Sequence, residues 1–374
     1  KNIKRSNISG DSLMQLAVEA AEIDADSRSE IILGLPGESL KSHFQTIDTV
    51  IDARFNHVNT YQLMMLPGTE IDSPETRQKF DMKTRFRILP RCFGYYDVLG
   101  KQMVAAEIEE VCVSTNTLSF EDYIKCRKMH LLIHIYHNDG LFNTALEFIK
   151  FLKLSPYGWL KLLFEEKMIG GVKELFEKYQ QDTRQELWLN RDELVQNIQN
   201  PGVVDSYISG DLGYNLLFVH KAIAMSRFVP DLKKFAKLTL EKLLSENNLN
   251  SIKNLDFLND ALNYDACSIS NIFENLEKTP TVDMKYDVQK LISEKNKKLE
   301  EFQFKKPTTI SFTMNESQRD ILTRSLELYG STDLGVSRIL TKVFVKKVLR
   351  TGSIHTDLQK PDVQIKNAAD WPYC

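Results

Sequence analysis

Cys126, His130, His134 and His137 recur at intervals of four, four and three residues, in a segment whose apolar positions repeat at helical spacing. On a helix these positions share one face. Imidazole nitrogen and cysteine sulfur are donors that zinc and copper accept. One straight helix rarely offers more than two ligands to the same ion, however, and the surrounding MHLLIHIYH is strongly apolar. The four residues are therefore expected to serve a core or an interface, and no metal is assigned to them.

A second chemical candidate is IILGLPGESLKSHF, residues 31–44. An apolar run, a glycine turn and a Lys41-Ser42 pair share features with phosphate-binding loops, whose backbone N–H groups cradle phosphates at a helix start. Leu40 stands where such a loop needs glycine, Pro36 has no N–H to give, and Glu38 would set a negative charge beside the phosphates. That reading is set aside. The five cysteines, at 92, 112, 126, 267 and 374, are odd in number and scattered, which fits a reduced, cytoplasmic setting better than a disulfide scaffold.

The elements that would position these residues begin with a helix capped by Ser9 or Asp11, carrying Leu13, Leu16, Ala17 and Ala20 on one face. Ile31, Ile32 and Leu33 predict a buried strand over 30–34. Leu40, Phe44, Ile47 and Ile51 predict a helix over 39–53 with Ser39 at its N-cap, and VNTYQLMM a second strand near 58–65. This is the rhythm of parallel βα units. Parallel sheets need both faces and their neighbours covered, so two such strands read as the remainder of a larger sheet, truncated on its N-terminal side. The start, KNIKRSNISG, has no apolar region after its charges and no Met, which fits a chain that begins inside a larger protein.

From 71 to 120 the pattern loosens, with a short strand expected in RFRILPRCFGYY and a capped helix starting at Ser119. Beyond 120 the chain reads as helical over 121–153, 157–179, 212–228, 232–245 and 251–275. A charged helix is expected over 292–307, then a strand (TTISFTM), a helix over 316–329, a final helix to Arg350 and a loose tail. Strand and two helices in that order suggest a ribbon-helix-helix DNA-binding module. Thr309, Ser311 and Thr313 alternate on the strand, but none is a residue that reads bases bidentately, so a helical cap is expected instead.

The chain has 374 residues, 42% of them hydrophobic and 26% charged, with a net charge of −3. This is a globular composition with material for two or three domains, and it gives no global reason for nucleic acid or an anionic membrane as partner. No apolar run approaches the roughly 18 residues of a transmembrane helix.

EIILGLPGES, followed by TYQLMMLPGTEI, closely resembles the C-terminal half of the radical S-adenosylmethionine barrel, in the subgroup that carries a cobalamin-binding domain upstream. RFRILPRCFGYY, the glutamates near 107–110 and TNTLSFEDYIKCRKMH resemble that subgroup's passage out of the barrel, so the resemblance covers roughly residues 1–150. It implies an α/β region followed by a mostly α region. Residues 1–80 would be the C-terminal part of a partial (βα)6, TIM-like barrel, with its fifth and sixth strands at 30–34 and 58–65. A connecting segment would cover 81–120, a helical domain 121–291, a charged helix, strand and two-helix tail 292–350, and a loose end 351–374.

The resemblance also implies an S-adenosylmethionine site. Ile32 would pack on the adenine, Gly34 would give room for the nucleoside, and Glu38 matches the closing acid of the motif. Tyr61, Gln62 and Leu63 would meet the adenine edge through their backbone. Two departures matter. The Cys-x-x-x-Cys-x-x-Cys that holds the family's [4Fe–4S] cluster is absent, so this chain alone should bind none. The cobalamin signature Asp-x-His-x-x-Gly is absent too, since Ile135 stands where His137 and Gly140 would require Asp. The expectation is a portion of a radical S-adenosylmethionine enzyme with cluster, S-adenosylmethionine and possible cobalamin in the full-length form. Its substrate, small molecule or peptide, is unreadable, and self-association through the sheet edge at 30–34 is expected. The alternative is a non-catalytic helical interaction module, and a cluster motif upstream of Lys1 would decide between them.

Overall fold

The computed structural model describes residues 27–354 except 139–140, 201, 210 and 295–296, together with Ser12, Gln15, Leu16 and Glu19, which are helical. Most of the expected first helix, Gly140 and the tail 355–374 lie outside the described residues.

Strand β1 (Arg28–Leu33), helix α1 (Leu40–Asp52) and strand β2 (His57–Gln62) form a strand–helix–strand unit, with β1 and β2 parallel and Ile32 opposite Tyr61. Ser39 caps α1 as expected. Its Oγ accepts from the Ser42 N–H at 3.2 Å while Ser42 Oγ accepts from the Ser39 N–H at 2.8 Å, so two orphan donors of the first turn are satisfied together. Ile31, Ile47, Val50, Ile51 and Val58 join one continuous core that runs through the helical part to Val348.

The parallel pair is not left with only its own two strands. Beyond β2 the chain turns onto a long antiparallel hairpin, β3 (Lys83–Val98) and β4 (Lys101–Ser114). The Met65 N–H donates to the Glu110 carbonyl at 2.8 Å and the Cys112 N–H to the Leu63 carbonyl at 2.9 Å. β4 thus clasps the end of β2. The hairpin replaces the short strand expected in 85–96, and α2 (Pro74–Lys79) is pinned to it where Arg77 forks between Asp72 and Glu110.

Helix α3 (Phe120–Tyr136), capped by Ser119 as expected, is the axis of the helical layer. It is buried on nearly every side because α1, α5 (Pro156–Glu165), α6 (Gly170–Gln185) and α9 (Leu216–Arg227) all pack on it. A helix so enclosed needs no polar face, which is why MHLLIHIYH is apolar all round. α4 (Asn143–Phe151), α10 (Val229–Glu246) and α11 (Ile252–Ile269) complete the layer. Two short helices, α7 (Arg191–Ile198) and α8 (Val203–Ser209), cover the hairpin and were not expected from the sequence.

The expected charged helix over 292–307 is corrected. α12 (Val288–Ser293) ends there, a 3-10 turn spans Leu299–Phe302, and β6 (Gln303–Thr313) follows. Leu299 and Phe302 are buried, so the charges flank an apolar anchor rather than one solvated helix. β6 is the central strand of a three-stranded antiparallel sheet between β5 (Thr281–Tyr286) and β7 (Thr351–Ile354). Helix α13 (Glu316–Tyr329) falls where expected. The final helix, α14 (Asp333–Lys342), stops short of Arg350, and the first residues of the supposed loose tail are β7. Both edges of β6 are paired within the chain, Ser311 is buried, and Thr309 Oγ1 donates to Asp283 at 2.6 Å. Among the described residues no helix is long and apolar enough to cross a membrane.

Candidate functional site

The turn after β1 is built around Glu38. One carboxylate oxygen accepts from the Gly34 N–H at 2.7 Å and the other meets His43 Nδ1 at 2.9 Å. His43 Nε2 lies 2.8 Å from His130 Nε2, and both rings are fully buried. Two imidazole nitrogens at that distance share one proton. Burial, then the neighbouring His43, pushes the His130 pKa well down, so His130 is neutral. The result is a Glu38–His43–His130 chain joining the β1 turn to the middle of α3. Gly34 adopts φ +94°, which suits glycine. A Cβ there would sit 3.0 Å from the Cys112 carbonyl oxygen and 3.7 Å from Leu63 Cβ.

The histidine face of α3 therefore divides its members among separate duties. His130 completes the chain to Glu38. His134 packs edge-on against His57 and Phe218, with ring centroids 6.0 and 5.7 Å away. His137 Nε2 bonds the Phe55 carbonyl at 2.9 Å, and burial brings its pKa down to about 4. Asn138 adds a two-way clasp to the Val58 N–H and C=O, at 3.0 and 2.9 Å. Burial raises the Cys126 thiol far above its usual value and Cys112 to about 11, so both are held as thiols. Among the described residues, no three His, Cys, Asp or Glu side chains converge on a metal-ion position.

A cavity of about 210 Å³ opens beside β2. Asn59, Thr60, Tyr61 and Gln62 form one wall. Arg87 from β3, Arg127 and His134 from α3, Glu186, and Asn215 and Phe218 at the start of α9 close the rest. Arg87 is well served: it binds Glu109 through Nε and Glu186 through an Nη at 2.9 Å. Burial pulls its pKa down, the two carboxylates push it up by more, and the net shift is upward.

Arg127 is different. It is 3% exposed, its Nε has no hydrogen-bond partner, and its guanidinium carbon lies 5.6 Å from the Tyr179 ring centre. Among the described residues no carboxylate is paired with it. Thr60 Oγ1, which lines the same cavity from β2, is likewise buried without a partner. The phenols of Tyr123 and Tyr179 behind Arg127 stay protonated, since burial raises both, Tyr123 to about 12. A second cavity, about 270 Å³ beside β5 and β7, has its Tyr264 hydroxyl committed to Gln289 and to the Gly352 N–H.

The residues that the resemblance singles out are brought together in part. Tyr61 and Gln62 line the cavity, and Ile32 stands beside Tyr61 across the β1–β2 pair. Leu63 turns into a cluster with Met65, Met82 and Cys112; its N–H donates to the Leu33 carbonyl and its C=O accepts from Cys112. Glu38 has both oxygens engaged by the turn and by His43. Sequence reasoning missed Arg87, Arg127, Glu186 and Asn215. A signal existed only for Arg127, a cation just before the apolar run MHLLIHIYH and two turns from His134.

No family model matches the chain. The 2-(S-pantetheinyl)-carbapenam-3-carboxylate methyltransferase of Streptantibioticus cattleyicolor is 27% identical over 138 residues, which are 36% of this chain and 19% of that protein. The cobalamin-dependent radical SAM methyltransferase TokK of Streptomyces tokunonensis is 26% identical over 138 residues, with the same coverage. The matched stretch spans about a fifth of the length of either relative. Over about a third of its residues, the chain is thus similar to two methyltransferases, one of them a cobalamin-dependent radical SAM methyltransferase, at a distance that sets a direction and not a membership.

Proposed function

We propose that the chain is part of a radical S-adenosylmethionine enzyme of the cobalamin-associated kind, with methyl transfer as its reaction class and β1–β2 as two strands of its barrel. One observation carries this reading. At the carboxyl ends of two parallel strands, Tyr61 and Gln62 line a polar cavity and Ile32 is paired with Tyr61, and that end of a parallel sheet is where α/β folds hold ligands. The weak similarity to two methyltransferases supports the same direction.

The residues present fit the adenosyl group in part. Ile32 gives a β-branched surface and Tyr61, 47% exposed, a ring beside it, which suits a flat base. Ile32 and Tyr61 are paired on one face of the two strands, so this chain supplies one wall of an adenosyl site and not the whole pocket. When bound, S-adenosylmethionine supplies a methyl group or an adenosyl carbon radical. The work of this chain is to orient the base and exclude water. The cluster does not fit the residues here, because Cys112 and Cys126 are buried thiols and among the described residues no set of three ligands converges. Cobalamin does not fit His137, which is buried, with Nε2 bonded to the Phe55 carbonyl. The proposal therefore assigns the cluster and the cobalamin to sequence other than these 374 residues.

Two outcomes follow. In ligand-observed NMR with 5′-methylthioadenosine, the adenine protons should receive saturation from the chain, and Tyr61→Ala should weaken binding about tenfold, the loss of one good aromatic contact. Because Tyr61 is half exposed, the melting temperature should hold. Binding that ignores the substitution would sink the adenosyl assignment. Anaerobic reconstitution with iron and sulfide should give no stoichiometric cluster absorbance; a cluster that vanishes when Cys92, Cys112 and Cys126 are replaced by alanine would refute the thiol argument.

A further inference from the structure

We infer that the cavity beside β2 is a binding site for a small organic monocarboxylate, held by Arg127 and Thr60, and that this carboxylate belongs to the substrate and not to the adenosyl donor. The inference deepens the reading above and rests on it for the word substrate; the anion site itself rests on the side chains alone.

A guanidinium buried to 3% exposure is costly unless a counter-charge or a full set of acceptors meets it. Glu186, the carboxylate that lines the cavity, serves Arg87, as does Glu109. Arg127 keeps only the face of Tyr179, whose partial negative charge does not replace an anion. Thr60 Oγ1, buried in the lining of the same cavity, offers a second donor without an acceptor. Two orphaned donors lining one cavity call for an oxyanion, since a water molecule satisfies a hydroxyl but does not neutralise a guanidinium. Gln62 and Asn215 add neutral amides that could orient the rest of the molecule.

Charge decides the class. Glu186 also lines the cavity, and a dianion beside it would meet repulsion that a monoanion largely avoids. The cavity volume, about 210 Å³, suits a compact acid. Placement decides the source. Thr60 and Val58 alternate with Tyr61 along β2, so Thr60 is on the side of the core helices while the proposed adenosyl surface, Ile32 and Tyr61, is on the other.

The test titrates the full chain with isobutyrate, its neutral isostere isobutyramide, and inorganic phosphate, followed by ligand-observed NMR. Isobutyrate should bind at least tenfold tighter than isobutyramide, the scale of a charge-assisted hydrogen bond. Arg127→Gln should abolish that preference and Thr60→Val should reduce it severalfold. Both Arg127→Gln and Arg127→Met should fold and melt no lower than the parent without ligand, because they remove an uncompensated charge. A preference that survives Arg127→Gln, or a large fall in melting temperature for both variants, would overturn the site. Phosphate binding tighter than isobutyrate would overturn the monoanion. Displacement of isobutyrate by saturating S-adenosylhomocysteine would overturn the assignment to substrate. If isobutyrate binds through Arg127 while no adenosyl compound binds at all, the anion site stands and the radical S-adenosylmethionine reading falls.

Discussion

Gly34→Val should lower the unfolding free energy by about 2–5 kcal/mol, measured as a shifted denaturant midpoint with an unchanged slope. Two costs add. At φ +94° a side chain meets its own backbone, which costs about 1–2 kcal/mol and more for a β-branched residue. The new Cβ would also press to 3.0 Å on the Cys112 carbonyl, an atom of the β4 clasp that cannot swing aside, and such overpacking costs about 1–3 kcal/mol. Gly34→Ala should lie at the lower end of the range. The direction of that Cβ bears on function. It would meet Cys112 and Leu63, not the cavity lined by Tyr61 and Gln62, so in this structure Gly34 holds the turn together and loss of ligand binding would follow loss of fold. An unchanged midpoint for the valine variant would show that the turn is looser than its geometry.

The second large effect is a pH dependence carried by Asp265. This fully buried carboxyl on α11 sits at the start of α4, where it accepts the N–H groups of Thr144 and Ala145, both at 3.1 Å. Burial pushes its pKa up to about 7, against those hydrogen bonds, which favour the charged form. The fold therefore binds the proton more tightly than the unfolded chain does. The stabilisation is complete below about pH 4 and is lost as pH rises towards 7, a span worth on the order of 4 kcal/mol. Asp265→Asn keeps an acceptor and cannot titrate, so the fall in stability between about pH 4 and 7 should be smaller in the variant by that amount. Parallel profiles for the two proteins would show that Asp265 is solvated in solution.

Much of the local structure was legible from side chains that act on their own neighbours. Ser39 and Ser119 cap the helices they were expected to cap, and α13 runs from Glu316 to Tyr329 because Asn315 and Gln318 close its first turn. The long hairpin was not legible. Its residues are half-exposed on both faces, so no clean alternation forms, and its turn puts positive φ on Leu99 and Gly100, where Asn-Gly would have announced it. Residues 292–307 misled because Lys and Glu at helical spacing outnumber the two side chains, Leu299 and Phe302, that the core holds. The site was half-legible. Strand ends and the glycine turn marked Ile32, Tyr61 and Gln62, whereas Arg87, Arg127, Glu186 and Asn215 come from separate elements that only the tertiary packing brings to one cavity.

Arg350 carries a consequence for how the chain is made. It is buried at 2% exposure and donates to the carbonyls of Lys278 at 2.9 Å and Asn275 at 2.6 Å, and also to Ser270. Those carbonyls belong to the segment that follows α11, and no other guanidinium bonds them among the described residues. On a ribosome that segment is synthesised more than 70 residues before its latch. For several seconds, at about 5–20 residues per second, the nascent helical layer has its apolar faces in place and its C-terminal corner open. Chaperones and proteases would meet the chain in that interval, and the emergence of Arg350 from the ribosome, not the packing of α3, would set the moment at which the corner shuts.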